Sequence, residues 1–235
     1  NRHELPYLGA SPIVRGLSDD KHLSKLEARV RSIPTAAWRV FRHGADVDVS
    51  KCPPARRWVI KPNNSSASWG VRDATDLDAI VEPFLTGSDV EVPVITKDGR
   101  PHIMPMMLFE QADPTHLRTH EEKRDLTDRA GKYELHHFTD DALARRIKAM
   151  TQAMIDVFWP FDYGRFEFRV DDVSGEINFL EVNLNCNLWS QKVFGRSAAL
   201  MGWSQHELIE TILAESLIRQ GLCAKVDTEN EALAA

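Results

Sequence analysis

The 235 residues are 43% hydrophobic and 27% charged, which supports a globular chain with a sizeable core, in one large domain or two small ones, and argues against overall disorder. A net charge of −6 with a pI near 5.9 weighs against a nucleic-acid backbone as the main ligand, although a local basic cleft for phosphate stays open. No apolar run approaches the roughly 20 residues of a membrane span, no signal peptide is visible, and Cys52, Cys186 and Cys223 lack zinc spacing or a disulfide framework, so a cytoplasmic, reducing setting without a membrane partner is expected.

In chain order, Ser18-Asp-Asp-Lys21 predicts a helix N-cap with an acidic first turn, followed by Leu23, Leu26 and Val30 at helical spacing and a stop before Pro34. Arg57 to Lys61 reads as a buried strand, and the small polar stretch from Pro62 to Gly70 as a loop. A second strand is expected from Val71 and a short helix from Asp76 to Val81, with Glu82-Pro-Phe-Leu85 as an extended connection because proline disfavours the helical region for Glu82. Asp89 to Ile95 alternates, Lys97-Asp-Gly-Arg100 predicts a two-residue hairpin turn, and a strand is expected over His102 to Phe109. Gln111 to Tyr133 is polar and carries no clear assignment. Leu143, Ile147, Met150, Met154, Ile155 and Phe158 form one face of an amphipathic helix, and Ser204-Gln-His-Glu207 is a capping box that opens a last helix burying Leu208, Ile209 and Ile212. The tail beyond Gly221 reads as frayed. Helices among antiparallel hairpins indicate an α+β architecture.

The segments Gly164 to Val170 and Ile177 to Asn183 both alternate, with turn residues Asp171 to Gly175 between them. If the turn centres near Ser174, Glu167 faces Glu181 and Arg165 faces Asn183, while Phe166, Phe168, Val170, Leu180 and Val182 share the opposite face. Two carboxylates directly opposite each other repel unless a positive charge sits between them. Carboxylate and amide oxygens are hard ligands suited to Mg²⁺, which also takes phosphate oxygens. The alternative is a solvated hairpin face whose glutamates are neutralised by Arg165 and Arg169.

Several further stretches, in this order, resemble the ATP-grasp superfamily and its D-alanine–D-alanine ligase-like branch. They are Tyr7-Leu-Gly-Ala with Asp20-Lys21, Val59-Ile-Lys61-Pro62, Glu82-Pro-Phe-Leu85 with Gly87-Ser-Asp89, Lys132-Tyr133, and the hairpin residues. The resemblance implies two α+β subdomains gripping ATP, and an N-terminal domain of the family has no counterpart in this chain, which starts at Asn1 and reads as a fragment, a processed product or a renumbered segment. It implies that Lys21, Lys61 and Lys132 hold phosphates, that Ser68 belongs to the phosphate loop, that Glu82, Phe84 and Leu85 bind adenine, and that Asp89 takes the ribose hydroxyls. Arg165, with Lys132, falls on the catalytic positions, and Glu167, Glu181 and Asn183 on those of the Mg²⁺ ligands, with Mn²⁺ as a substitute. The implied segments are residues 1–55 opening the central region, 56–88 as the small subdomain, 89–221 as the large subdomain with the metal site, and 222–235 as a tail.

Some positions depart from the family pattern. Glu167 stands where aspartate is usual, and Ser65 and Ser66 where Glu-Gly is common. Ala67 replaces a serine, and Cys186-Asn187 a Pro-Gly pair. The loop with Asn185, Asn187 and Lys192 corresponds to the one contacting the acyl and amine substrates, so the substrate pair is expected to differ here. The implied activity is an ADP-forming carboxylate–amine ligase acting through an acyl-phosphate on an amino acid or small carboxylic acid, without nucleic acid, with a homodimer as one quaternary state. A D-alanine–D-alanine ligase proper, a phosphotransferase and a non-catalytic ATP-binding module are the alternatives. Cys186 reads as structural, the pair His116 and His120 as solvated, and His136-His137 as a polar turn.

Overall fold

The computed structural model describes residues 5–43, 46–64, 78–111, 113, 115 and 133–224. The chain opens with two short helices rather than one. Ser11 caps α1 (Pro12–Asp19), with proline in its first turn, and Asp20 both ends α1 and caps α2 (Lys21–Val30), accepting from the Leu23 amide at 2.9 Å. The expected cap at Ser18 is therefore displaced by two residues, and the Ser18 hydroxyl instead donates back to the Arg15 carbonyl. The buried side of α2 is also not the expected one. Lys21, Ser24, Lys25 and Ala28 point inward, whereas Leu23, Leu26 and Val30 are exposed. Buried ion pairs, described below, reward the lysines for facing in.

A three-stranded antiparallel sheet follows, in the order β1 (Arg39–Phe41), β3 (Ala79–Pro83), β2 (Trp58–Pro62). Residues 79–81 belong to β3 and not to a helix, because β-branched Ile80 and Val81 fill a central strand paired on both sides. The strand expected from Val71, and residues 76 and 77 of the expected helix, lie outside the described residues. β2 is an edge strand rather than a buried one, and Ile60 is exposed.

The larger sheet runs β7-β6-β4-β8-β9, with β5 also pairing β4. Its strands are β4 (Ser88–Lys97), β5 (Arg100–Ile103), β6 (Met107–Gln111), β7 (Tyr133–His137), β8 (Tyr163–Val170) and β9 (Ile177–Asn183). The turn between β4 and β5 has positive φ at Asp98 and Gly99, as the sequence requires. The single strand expected over His102 to Phe109 is split in two, with Pro105 in the break. His136 and His137 lie in β7, not in a turn, and His136 sits beside Glu110 and Glu134. His116 and His120 lie outside the described residues.

One face of this sheet packs on α3 (Asp141–Phe158), whose Ile147, Met154, Ile155 and Phe158 meet Val90, Val92, Val94, Phe166, Phe168 and Phe179. On the other face, α4 (Val193–Leu200) and α5 (Gln205–Arg219) cover one end, packing Phe194, Leu208 and Ile212 on Ile95 and Tyr163. The capping box at Ser204 and Glu207 forms as expected. The rest of that face carries charge. Among the described residues no helix is long and apolar enough to cross a membrane.

Gly87 makes the passage from β3 into β4. Its φ is +98°, and a Cβ there would stand 2.0 Å from the Val170 carbonyl oxygen. Gly87→Ala is expected to cost about 2 kcal/mol or more of stability, read as a lowered urea midpoint; an unchanged midpoint would contradict this packing.

Candidate active site

The hairpin register is the expected one at its functional end. Arg165 pairs Asn183 and Glu167 pairs Glu181, and a β-bulge follows between Glu167 and Phe168, so that Phe168 meets Phe179. The extra residue changes which side chains face the core. Phe179 is fully buried there, and Leu180, expected on that face, is only partly buried and lies outside the core cluster.

Across β4, β8 and β9 the register aligns three carboxylates in one row, Glu91, Glu167 and Glu181. Arg165 binds two of them: its Nε and Nη2 donate to Glu167 Oε1 at 3.1 and 2.6 Å, and its Nε lies 2.8 Å from Glu91 Oε2. Asn183 Nδ2 donates to Glu167 Oε1 at 2.7 Å and to Glu181 Oε1 at 3.2 Å, and Lys21 Nζ stands 3.6 Å from Glu181 Oε2. Burial disfavours the charge on Arg165, yet Glu167 and Glu91 outweigh it and raise its pKa above the ordinary guanidinium value.

Next to this row, α2 reaches the smaller sheet. Lys25 Nζ, fully buried, bonds Glu82 Oε2 at 2.8 Å, and Lys61 Nζ pairs the other oxygen, Glu82 Oε1, at 2.5 Å. Burial alone would raise the Glu82 pKa, but Lys61 and Lys25 hold it down at about 2. Burial lowers the pKa of Lys25, whereas for Lys61 the attraction of Glu82 overcomes burial and raises it. The start of α2 is fixed to the end of β2: the Asn63 carbonyl accepts from the Lys21 amide, and Asn63 Oδ1 from the His22 amide. Lys21, Lys25 and Lys61 thereby gather between the two sheets.

On the linker between the sheets, Phe84 lies under the Arg57 guanidinium, 4.2 Å from its ring centroid, and Arg169 donates to the Leu85 carbonyl at 3.2 Å and to Asp89 Oδ1 at 2.7 Å. Arg169 thus serves Asp89 and the Leu85 carbonyl, while Arg165 neutralises Glu167. Beyond β9, Asn185 accepts from the Tyr163 hydroxyl at 3.0 Å, Asn187 Oδ1 accepts from the Trp189 amide at 2.6 Å, and Lys192 is the N-cap of α4. Burial pushes the Cys186 thiol up to about 12, so it stays protonated at neutral pH, in keeping with a structural role. Cys52, Cys186 and Cys223 are all free thiols. Ser68 and Lys132, and the altered loop residues 65–67, lie outside the described residues.

Sequence reasoning missed Glu91 and Lys25. Both carried a signal: Glu91 shares the face of Asp89 by alternation, and Lys25 stands one helical turn after Lys21.

Among the described residues no three His, Cys, Asp or Glu side chains form a metal cluster. Glu167 and Glu181 are instead bridged by the Asn183 amide nitrogen, and turning that amide over exchanges a donor for an oxygen ligand between them. Two carboxylates and one amide oxygen, all hard, suit Mg²⁺ with water and phosphate oxygens completing its shell.

The family model described as D-ala D-ala ligase C-terminus matches residues 59–214. An uncharacterized protein of Sinorhizobium fredii, y4sG, is 27% identical over 227 residues, covering 89% of this chain and 66% of that protein. A D-alanine–D-alanine ligase of Haemophilus ducreyi is 27% identical over 230 residues, covering 91% of this chain and 73% of the ligase. The crystal structure of a D-alanine–D-alanine ligase from Bacillus anthracis complexed with ATP superimposes with a TM-score of 0.72 at 20% identity, over 94% of this chain and 73% of that one. This chain therefore spans about two thirds of the first of these relatives and somewhat more of the others. The match over most of its length, with the shared fold, means that the chain belongs to the D-alanine–D-alanine ligase C-terminal family and has the ATP-grasp fold.

Proposed function

We propose that this chain is the ATP-handling part of an ADP-forming carboxylate–amine ligase. The observation that carries the reading is the aligned carboxylate row Glu91, Glu167 and Glu181 facing the lysines of α2 and β2. In that cluster Lys21, Lys25, Lys61 and Arg165 balance Glu82, Glu91, Glu167 and Glu181. A divalent cation tips the balance positive, which favours a triphosphate.

In this reading residues 1–55 open the region and lend β1 to the small sheet, 56–88 form the rest of the small subdomain, 89–221 the large one, and 222–235 a tail. Phe84 and Leu85 receive adenine, while Glu82, expected there too, has both carboxylate oxygens on Lys25 and Lys61 and serves by placing those lysines; Asp89 takes the ribose, and Lys21, Lys61, Lys132 and Ser68 the phosphates. Glu167, Glu181 and Asn183 hold Mg²⁺, or Mn²⁺ in its place. When bound, the metal screens the triphosphate charge that builds up during transfer. A substrate carboxylate oxygen attacks the γ-phosphorus as the bond to the ADP oxygen breaks, leaving an acyl-phosphate and ADP. Arg165 presents its guanidinium to the transferring group and then to the oxyanion formed when an amine attacks the carbonyl carbon. Collapse expels phosphate, the nitrogen loses a proton to solvent, and an amide remains.

The relatives named as D-alanine–D-alanine ligases point to small amino acids or carboxylic acids as the substrate class. Asn185, Asn187 and Lys192 are the residues proposed to select the pair, and the departure from the family pattern at Cys186-Asn187 favours one other than two D-alanines. A cytoplasmic setting belongs to the same reading, because ATP supply and free thiols coincide there.

The test is an ADP-release screen over amino acids and small carboxylic acids, singly and in pairs, using the longest natural chain that contains this segment. ADP release that needs a carboxylate and rises with a second, amine-bearing compound is expected. ATP binding without ADP release for any pair would favour a binding module, and turnover with D-alanine alone would make it a dipeptide ligase proper.

A further inference from the structure

Arg165 has two carboxylate anchors, and they are not equivalent. Glu167 Oε1 accepts from Arg165 Nε, from Arg165 Nη2 and from Asn183 Nδ2, and Glu167 is also a proposed cation ligand. A carboxylate drawn toward a divalent cation has less electron density to offer a guanidinium. The second anchor, Glu91, is 1% exposed and stands on β4 directly across from Glu167, with its Oε2 2.8 Å from Arg165 Nε, a charge contact and not a hydrogen bond, since the Nε–H is given to Glu167. Glu91 faces the arginine, and the ligase reading gives it no contact with ATP, cation or substrate. A buried carboxylate is costly unless a partner holds it, and one partner here is the arginine that the ligase reading places at the transferring phosphoryl group.

We propose that Glu91 is a positioning residue: it keeps the Arg165 guanidinium in place when Glu167 is recruited to the cation. This rests on the ligase reading above. Guanidinium placement matters to within about half an ångström for such a role, and one anchor outside the proposed cation ligands provides it.

The test is steady-state ADP formation by wild type, Glu91→Gln and Glu91→Asp, with circular dichroism to check folding. Glu91→Gln keeps the shape and removes the charge; it is expected to lower kcat by about 10- to 100-fold with the KM for ATP within about twofold of wild type. Glu91→Asp, which restores the charge one methylene further back, is expected to fall between the two. Should Glu91→Gln fail to fold, Glu91→Asp carries the test by the same split: lowered kcat at unchanged KM. An active wild type whose kcat is indifferent to both substitutions overturns the role of Glu91 alone. So does a rise in KM for ATP that accounts for the whole loss. A wild type that releases no ADP with any substrate pair overturns the ligase reading, and this role with it.

Discussion

Glu181→Ala is expected to reduce magnesium-dependent ADP formation by about two orders of magnitude or more, the scale of removing several kcal/mol of transition-state charge stabilisation, while leaving the fold intact. The two halves of this expectation have separate causes. Glu181 is one of the two carboxylates bridged by the Asn183 amide, so its removal leaves a divalent cation with that neutral amide and with Glu167, which Arg165 already engages. The structural cost is smaller than at Glu82, because Glu181 is 18% exposed at its side chain and its ion pair to Lys21 is long, at 3.6 Å, against 2.8 Å between Lys25 and Glu82. The measurement is ADP release over a magnesium titration, with thermal unfolding of the same sample. Full activity in Glu181→Ala would sink the metal assignment.

Glu82→Leu is expected to act the other way, with a large loss of stability. Lys25 is fully buried and bonds one Glu82 oxygen while Lys61 holds the other, so removing the carboxylate strands a buried ammonium. Breaking a buried pair from one side costs about 3–5 kcal/mol. Lys25→Met in the same chain is expected to recover much of the loss, since it removes the stranded charge. The pH dependence has a definite sign. The folded-state pKa of Glu82 is depressed from 4.5 to about 2, so the folded state binds this proton less readily than the unfolded chain. The contribution of Glu82 is therefore complete above pH 4.5 and is lost as the pH falls from 4.5 toward about 2. Urea unfolding of wild type and Glu82→Leu over that range measures it. Equal stabilities at neutral pH, or a difference that grows on acidification, would contradict the triad.

The hairpin was legible because alternation and turn residues fix its pairing at the functional end: Glu167 against Glu181 and Arg165 against Asn183 follow from counting across Ser174. The bulge behind it was not legible. It shifts the pairing by one residue, and no residue type in Phe179-Leu-Glu announces it. In α2 the helix was recognisable but its orientation was not, because Leu23, Leu26 and Val30 draw a stronger apolar stripe than the face that is buried. That face is polar, and its burial depends on Glu82 and Glu181, which lie far along the chain. The same distance hid Glu91: alternation gives its face, but only strand pairing brings it beside Arg165. The first helix was missed despite Ser11-Pro12, a cap followed by proline at the first helical position.

The central claim is that this charged face of the larger sheet is a magnesium–nucleotide site. The most direct measurement is ATP affinity by calorimetry with magnesium and with EDTA, for wild type and Glu181→Ala. The account predicts that magnesium tightens ATP binding by about tenfold or more in wild type and that this gain disappears in Glu181→Ala. ATP affinity that is indifferent to magnesium in wild type, or a magnesium gain that survives in Glu181→Ala, would contradict it.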